Sequence, residues 1–187
     1  MADFFGIPVS EINVWLIWIL PFAAALIIPA VGKFSKLSTG RIAVGFAVMS
    51  AISAATLFPM ALEAHEIHHQ IMWIDALGLK AGVLADPLSI IMANVVGWIS
   101  FLIMCYSTGY MKGDKDITRF WFWMMFFIGS MQLIVLSDNL LQVFFGWEGV
   151  GLASYALISF WYRDKKKDHV GVEGRTVLGM LDYYSPT

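Results

Sequence analysis

The chain has 187 residues, of which 59% are hydrophobic and only 14% charged, with a net charge of -2 and a mean hydropathy of +0.72. Ordinary soluble domains carry about 25% charged residues, and no core in a chain this short could hide fourteen Phe, eight Trp and eleven Met, so a water-soluble fold is excluded. The basic residues fall in short clusters rather than along one helical face, which leaves no footprint for nucleic-acid binding.

The first fifteen residues contain Asp3 and Glu11 but no Lys or Arg, the wrong opening for a secretory signal peptide, so the first apolar span is expected to be retained. A helix needs about 20 apolar residues to cross the hydrocarbon core. Five windows meet or approach that length: Ile12 to Val31, Ile42 to Leu62, Pro87 to Met111, Phe120 to Ser137 and Asn139 to Tyr162. Pro21 and Pro29 in the first and Pro59 near the end of the second are tolerable kinks, because neighbouring helices can satisfy the freed carbonyls. The fold class expected is therefore an all-α integral membrane protein of about five transmembrane helices.

Between the second and third windows, IMWI and GVLA are short extended runs separated by Asp75, Ala76, Leu77 and Gly78, and they predict a small hairpin on the membrane surface. Ser137, Asp138 and Asn139 form a tight turn between the fourth and fifth windows, with Asp138 expected as the N-cap of the helix that follows. Lys and Arg concentrate in alternate segments. Lys33, Lys36 and Arg41 follow the first window, Lys112, Lys115 and Arg119 the third, and Arg163, Lys165, Lys166 and Lys167 the fifth. The positive-inside rule then places the N-terminus outside and residues 163 to 187 on the cytoplasmic side. That final stretch is polar and reads as a loop leading to something outside this chain.

Cys105 lies in an apolar run, where a small buried thiol is expected, and one thiolate cannot hold an iron–sulfur cluster. With no glycine-rich dinucleotide fingerprint either, any redox centre belongs to a partner, and no cofactor or metal ligand is assigned to this chain. Residues 65 to 69 read HEIHH, which matches the HExxH zincin pattern with His65 and His69 as ligands and Glu66 as base. Such a site also needs a third protein ligand and a water cavity, and the match sits where the second helix runs out, so an exposed polar boundary segment is expected rather than a metalloprotease.

Across the five windows the one Asp, Glu, Lys, Arg or His is Glu148, in NLLQVFFGWEGVGLASYALISFWY. An ionised acid near the bilayer centre costs about 3 kcal/mol on insertion scales, so an intramembrane carboxyl marks a functional site by default. Desolvation raises its pKa and a nearby cation lowers it, which is the switching a proton relay requires. Helical spacing puts Gly151, Tyr155 and Ser159 on the same face, at i+3, i+7 and i+11. Gly146, Gly149 and Gly151 leave room for close helix contact or for water. Gln132 on the fourth window is a weaker candidate for a supporting role and is expected as packing glue.

The strings LADPLSIIM and YSTGYM bounding the third window, and above all VLSDNLLQVFFGWEGVGLASYALISFWY, closely resemble the largest antiporter-like subunit of complex I-type dehydrogenases. The resemblance is strong over roughly residues 80 to 162 and earlier holds only in hydropathy. It implies an inverted-repeat fold with two five-helix repeats after an N-terminal group of three helices. On that pattern residues 1-111 are the preceding group, with the outer loop at 63-86. Residues 112-162 are the first two helices of the first repeat, and 163-187 a cytoplasmic loop. The family's glutamate falls on Glu148, whereas its lysine partner on a later broken helix has no counterpart here, so the sequence reads as a portion of a longer subunit. The implied function is a membrane-arm subunit that couples electron transfer, performed elsewhere in an NADH:quinone or deazaflavin-linked dehydrogenase, to proton translocation. Its partners would be other membrane-arm subunits, a neighbouring antiporter-like one among them, in an energy-transducing membrane. A subunit of a multisubunit cation/proton antiporter is the alternative, and a purely structural membrane subunit the competing class without transport.

Overall fold

The computed structural model describes residues 3–4, 7–63, 66–74 and 79–160. Residues 75–78, expected to separate the two strands, His65 and the segment from 161 onward lie outside the described residues. A two-residue pair, β1 (Asp3–Phe4) and β2 (Ile7–Pro8), precedes α1 (Val9–Gly32). There follow α2 (Lys36–Thr56), a single turn α3 (Phe58–Leu62), strands β3 (Ile67–Ile74) and β4 (Leu79–Ala85), α4 (Pro87–Tyr110), α5 (Ile117–Leu136) and α6 (Leu140–Ile158). Five helical segments are long and apolar enough to cross a bilayer, and they coincide with the five windows.

The second span differs from its expected window at both ends, and the break near its C-terminal end has a local cause. The second span starts earlier than Ile42, at Lys36, and breaks at Leu57, two residues before Pro59. Pro59 has no N–H to continue the ladder, so α2 closes on a tight Leu57 N–H to Ala54 C=O bond and the chain restarts as α3. In contrast, α1 runs unbroken through Pro21 and Pro29. Pro21 leaves the Ile17 carbonyl, four residues back, without its helical donor. The Ser50 hydroxyl of α2 donates to that carbonyl at 2.6 Å, so a neighbouring helix restores the lost bond.

The helices alternate in direction, as two separate core clusters make plain. One cluster joins the N-terminal half of α1 (Val14, Ile17), the C-terminal end of α2 (Ala54, Leu57), the start of α4 (Ile90, Ala93), the end of α5 (Leu136) and the hairpin residues Ile67, Val83 and Ala85. The other joins the opposite halves: Ala25 and Ile28 of α1, Ala43 and Ala47 of α2, Met104 of α4, and Trp121 and Met125 of α5. Among lipid-solvated helices, association depends on close packing rather than hydrophobic expulsion, which explains the many alanines at these contacts. A Cβ on Gly97 of α4 would lie 3.2 Å from the Ala51 Cα of α2, so those two backbones approach closely. The central element is α5, which packs against α1, α2, α4 and α6. By contrast α6 is the least buried span and rests chiefly on α5.

Antiparallel alternation brings the basic segments together. Lys33 at the end of α1 and Lys115 and Arg119 at the start of α5 line one cavity. The hairpin and the α5–α6 turn occupy the other end. The hairpin is longer than the two short runs suggested, pairing Ile67 with Ala85 through Ile74 with Leu79, with a bulge between Met72 and Ile74. Its β4 strand leads directly into α4, where Asp86 and Ser89 form a reciprocal capping box behind Pro87. The Ser89 hydroxyl and amide hold the Asp86 carboxyl below its ordinary pKa.

Candidate functional site

Glu148 is the ninth of the nineteen residues of α6, within a single residue's rise of the helix midpoint, as its place in the window suggested. The fifth span is amphiphilic in a geometric rather than a polar sense. Gln142, Gly146, Gly149 and Ala153, spaced by four, three and four residues, form its buried stripe. That stripe packs on α5, where a Cβ on Gly146 would stand 3.0 Å from the Ser130 carbonyl oxygen and 3.2 Å from the Ile134 nitrogen. Two residues from Gly146 means about 200° around the helix, so Glu148 is turned away from α5. It is exposed on the open face of the described bundle, beside Phe144, Trp147 and Leu152. Among the described residues it makes no ion pair.

The expected companions divide between two places. Gly151 and Tyr155 share the open face with Glu148; a Cβ on Gly151 would meet nothing within 4 Å, and Tyr155 is 47% exposed. Ser159 is the C-cap of α6, and its hydroxyl bonds the Tyr155 carbonyl at 2.8 Å. Gln132 is elsewhere: fully buried, it donates to the Ala93 carbonyl of α4 at 3.0 Å, the interhelical role expected of it. Among the described residues its buried Oε1 has no hydrogen-bond partner. The three glycines also part company, since Gly146 and Gly149 serve close packing while Gly151 leaves open space.

A second polar constellation was not read from the sequence. The Asp138 side chain, only 2% exposed, lies 3.2 Å from His68 Nε2. It accepts hydrogen bonds from Gln70 Nε2 at 2.6 Å and from Asn139 Nδ2 at 2.6 Å. Burial pushes its carboxyl pKa up, but the bonds from Gln70, Asn139 and His68 outweigh that and leave it below the ordinary value. Asp138 is therefore not the N-cap of α6. Asn139 is, accepting from the Gln142 amide at 2.9 Å, because the Asp138 carboxylate is committed to the hairpin. The hairpin docks through Asn139 to the Lys80 carbonyl at 3.1 Å and through the Gly82 amide to Gln142 Oε1 at 3.0 Å. A Cβ on Gly82 would fall on the Asp138 carboxylate. The sequence signal was weak: Asp138 and Gln70 are 68 residues apart and linked by no local pattern.

Of the HEIHH segment His65 lies outside the described residues, and the rest can be placed. Glu66 is exposed, and Ile67, His68 and His69 belong to strand β3 rather than to a helix. His68 and His69, adjacent in a strand, take opposite faces. His68 meets Asp138, whereas His69 accepts from Trp15 Nε1 at 3.2 Å and lies 3.8 Å from Glu11.

Residues 72–121 match the family described as NADH-ubiquinone oxidoreductase (complex I), chain 5 N-terminus. Residues 137–174, which include the asparagine cap, the glycine stripe and Glu148, match the transmembrane family of NADH:quinone oxidoreductases and Mrp antiporters. The chain belongs to the antiporter-like subunits of the complex I type. It is 37% identical over 163 residues to NADH-quinone oxidoreductase subunit L of Rickettsia bellii, covering 84% of this chain and 25% of that protein. It is 38% identical over 149 residues to NADH-ubiquinone oxidoreductase chain 5 of Dictyostelium discoideum (77% and 22%). To subunit L of Escherichia coli it is 32% identical over 158 residues (82% and 26%). The chain thus spans about a quarter of the length of the curated relatives it matches. A solved Mrp complex from a Dietzia species superposes with a TM-score of 0.65 at 24% identity, over 78% of this chain and 16% of that one, which supports the antiporter-like fold. Within this family α4 opens in the first matched segment, and α6 with Glu148 lies in the second.

Proposed function

We propose that this antiporter-like subunit works in the membrane arm of an NADH:quinone oxidoreductase-type complex, coupling electron transfer carried out elsewhere to proton movement, with Glu148 as the proton-carrying acid. The observation that carries the proposal is the placement of one carboxyl at mid-span on the face of α6 that α5 leaves uncovered. A neighbouring element that presents and withdraws a positive charge beside this carboxyl would load and unload its proton. Tyr155 and Gly151 on the same face would supply a hydroxyl and space beside it. The expected division places residues 1-111 as a preceding helix group and 112-162 as the opening pair of a repeat, which agrees with α6 being the span that leaves most of its surface for further helices. The N-terminus and the hairpin face outside, because Lys33, Arg41, Lys112, Lys115 and Arg119 share the opposite end, the cytoplasmic one in a prokaryotic energy-transducing membrane. Partners are the other membrane-arm subunits, including a second antiporter-like one.

The test is Glu148→Gln in the assembled complex. Gln keeps volume and hydrogen bonding but cannot ionise, so assembly should survive while proton pumping per electron falls severely; Glu148→Asp should retain part of it. An unchanged proton-to-electron ratio in the Gln variant would remove Glu148 as the carrier. The Mrp-like fold favours one second reading, a cation/proton antiporter subunit. Cation-dependent proton exchange in vesicles without any electron donor would select it.

A further inference from the structure

Helix α6 is the least buried of the spans, and its long contact is with one helix, α5. Along that contact it presents Gly146, Gly149 and Ala153, so its middle lays nearly bare backbone on α5. A packed helix resists turning about its own axis when its side chains sit as ridges in a neighbour's grooves, and a stripe of glycine and alanine supplies few ridges. The rotation of α6, and with it the direction of Glu148, therefore depends on what grips the helix at its ends. At the hairpin end the grip is the set of hydrogen bonds joining Asp138, Asn139 and Gln142 to β3 and β4.

At the opposite end a residue of α5 supplies it. Arg119, in the first turn of α5, donates through Nη2 to the Phe160 carbonyl at 2.6 Å, one residue past the Ser159 C-cap. Its guanidinium carbon also lies 4.8 Å from the centroid of the Phe160 ring. Phe120 meets the same ring edge-on, with centroids 5.8 Å apart, and Phe160 is only 5% exposed. Asp116 braces the guanidinium from the α5 side, its carboxylate 3.3 Å from the same Nη2, whose two hydrogens can serve both partners. A cation bonded to a carbonyl at a helix C-terminus also complements the negative end of the helix dipole.

We infer that Arg119 is a positioning residue for Glu148: by gripping Phe160 it fixes the rotation of α6 about its axis and keeps the carboxyl on the open face. The inference rests on the reading of Glu148 as the proton carrier. Phe160 is twelve residues from Glu148, about 18 Å along α6, so Arg119 acts through the helix rather than on the proton. Proton transfer requires donor and acceptor within hydrogen-bond reach, and a small swing of the carboxyl breaks that reach.

Nitroxide labels are attached to single cysteines, Leu152→Cys or Val150→Cys, in a Cys105→Ser background, and the full chain is reconstituted in lipid vesicles. Oxygen-collision rates are then read by electron paramagnetic resonance. Leu152 is exposed and Val150 half-buried, about 200° apart around the helix, so rotation raises one rate as it lowers the other, whereas loosening raises both. R119M should change the ratio of the two rates about twofold or more, the rates moving in opposite directions, and R119K, which keeps a cation and a donor, should restore most of it. K112M removes a cation at the same end of the bundle and should leave the ratio at its wild-type value. Asp116→Asn, which removes the brace and leaves Arg119 in place, carries the same test if R119M is not recovered folded. In the assembled complex R119M should lower the proton-to-electron ratio. Rates that rise together, an unchanged ratio of rates, or no recovery in R119K would overturn the grip, and a rotated helix with normal pumping in R119M would overturn the positioning role. Normal pumping in Glu148→Gln is a separate result, which removes the proton carrier and leaves the grip of Arg119 on α6 to the nitroxide readout.

Discussion

Gly146 and Gly151 sit on one helix, five residues apart, and differ in what an added methyl would touch. A Cβ on Gly146 would lie 2.6 Å from Ile134 Cγ1 and 3.0 Å from the Ser130 carbonyl oxygen, whereas a Cβ on Gly151 would enter open space. The Ile134 side chain can yield, but the Ser130 carbonyl is backbone, so α6 must move away from α5 by several tenths of an ångström. Forcing a methyl group into a packed contact costs about 1–3 kcal/mol. Replacing Gly by Ala in a helix gains up to about 1 kcal/mol at either site, and because that gain is common to both variants it cancels in the comparison. Gly151→Ala should therefore be neutral or stabilising, and Gly146→Ala should be less stable than it by about 1–3 kcal/mol. For a chain of this size that separates the two unfolding midpoints in detergent by roughly 2–4 °C per kcal/mol, readable by near-ultraviolet circular dichroism. Equal midpoints would mean that α6 does not rest on α5 through its glycine stripe, and the outward placement of Glu148 would fall with it.

The depressed pKa of Asp138 implies a pH-dependent anchor for the hairpin. Because the folded value lies below the unfolded one, the stabilisation is fully present above the ordinary Asp value and lost as pH falls through the depressed one. Asp138→Asn should cost about 1–3 kcal/mol near neutral pH, and the gap to wild type should shrink below about pH 4; a pH-independent gap would contradict the ionised anchor. The orientation can be checked with single cysteines at Glu63 and at Lys112 in a Cys105→Ser background. An impermeant thiol reagent should reach them from opposite sides of the membrane, and same-side labelling would overturn the alternating arrangement.

Hydropathy alone located all five spans, because a backbone in hydrocarbon must satisfy its own hydrogen bonds and helices of about 20 apolar residues are the simplest way to do so. It likewise isolated Glu148, since a lone acid in such a span is conspicuous by its cost. The alternation of Lys and Arg was legible for a similar reason, as charge is confined to the ends. What could not be read were contacts between residues distant in the chain. The choice of Asn139 over Asp138 as cap depended on Gln70 and His68 arriving from the hairpin to claim the carboxylate. The end of α2 at Leu57, short of the window's own limit, depended on Pro59 locally, but the continuity of α1 through Pro21 depended on a serine contributed by another helix. The three glycines around Glu148 look alike in sequence, and only the packing of α6 on α5 separates the two that must be glycine from the one that faces open space. Composition and periodicity therefore determined which segments cross the membrane and which ionisable side chain lies within them. Tertiary structure decided which way that side chain points and which polar groups meet at the helix ends, because direction and partnership are set by neighbours that local sequence does not encode.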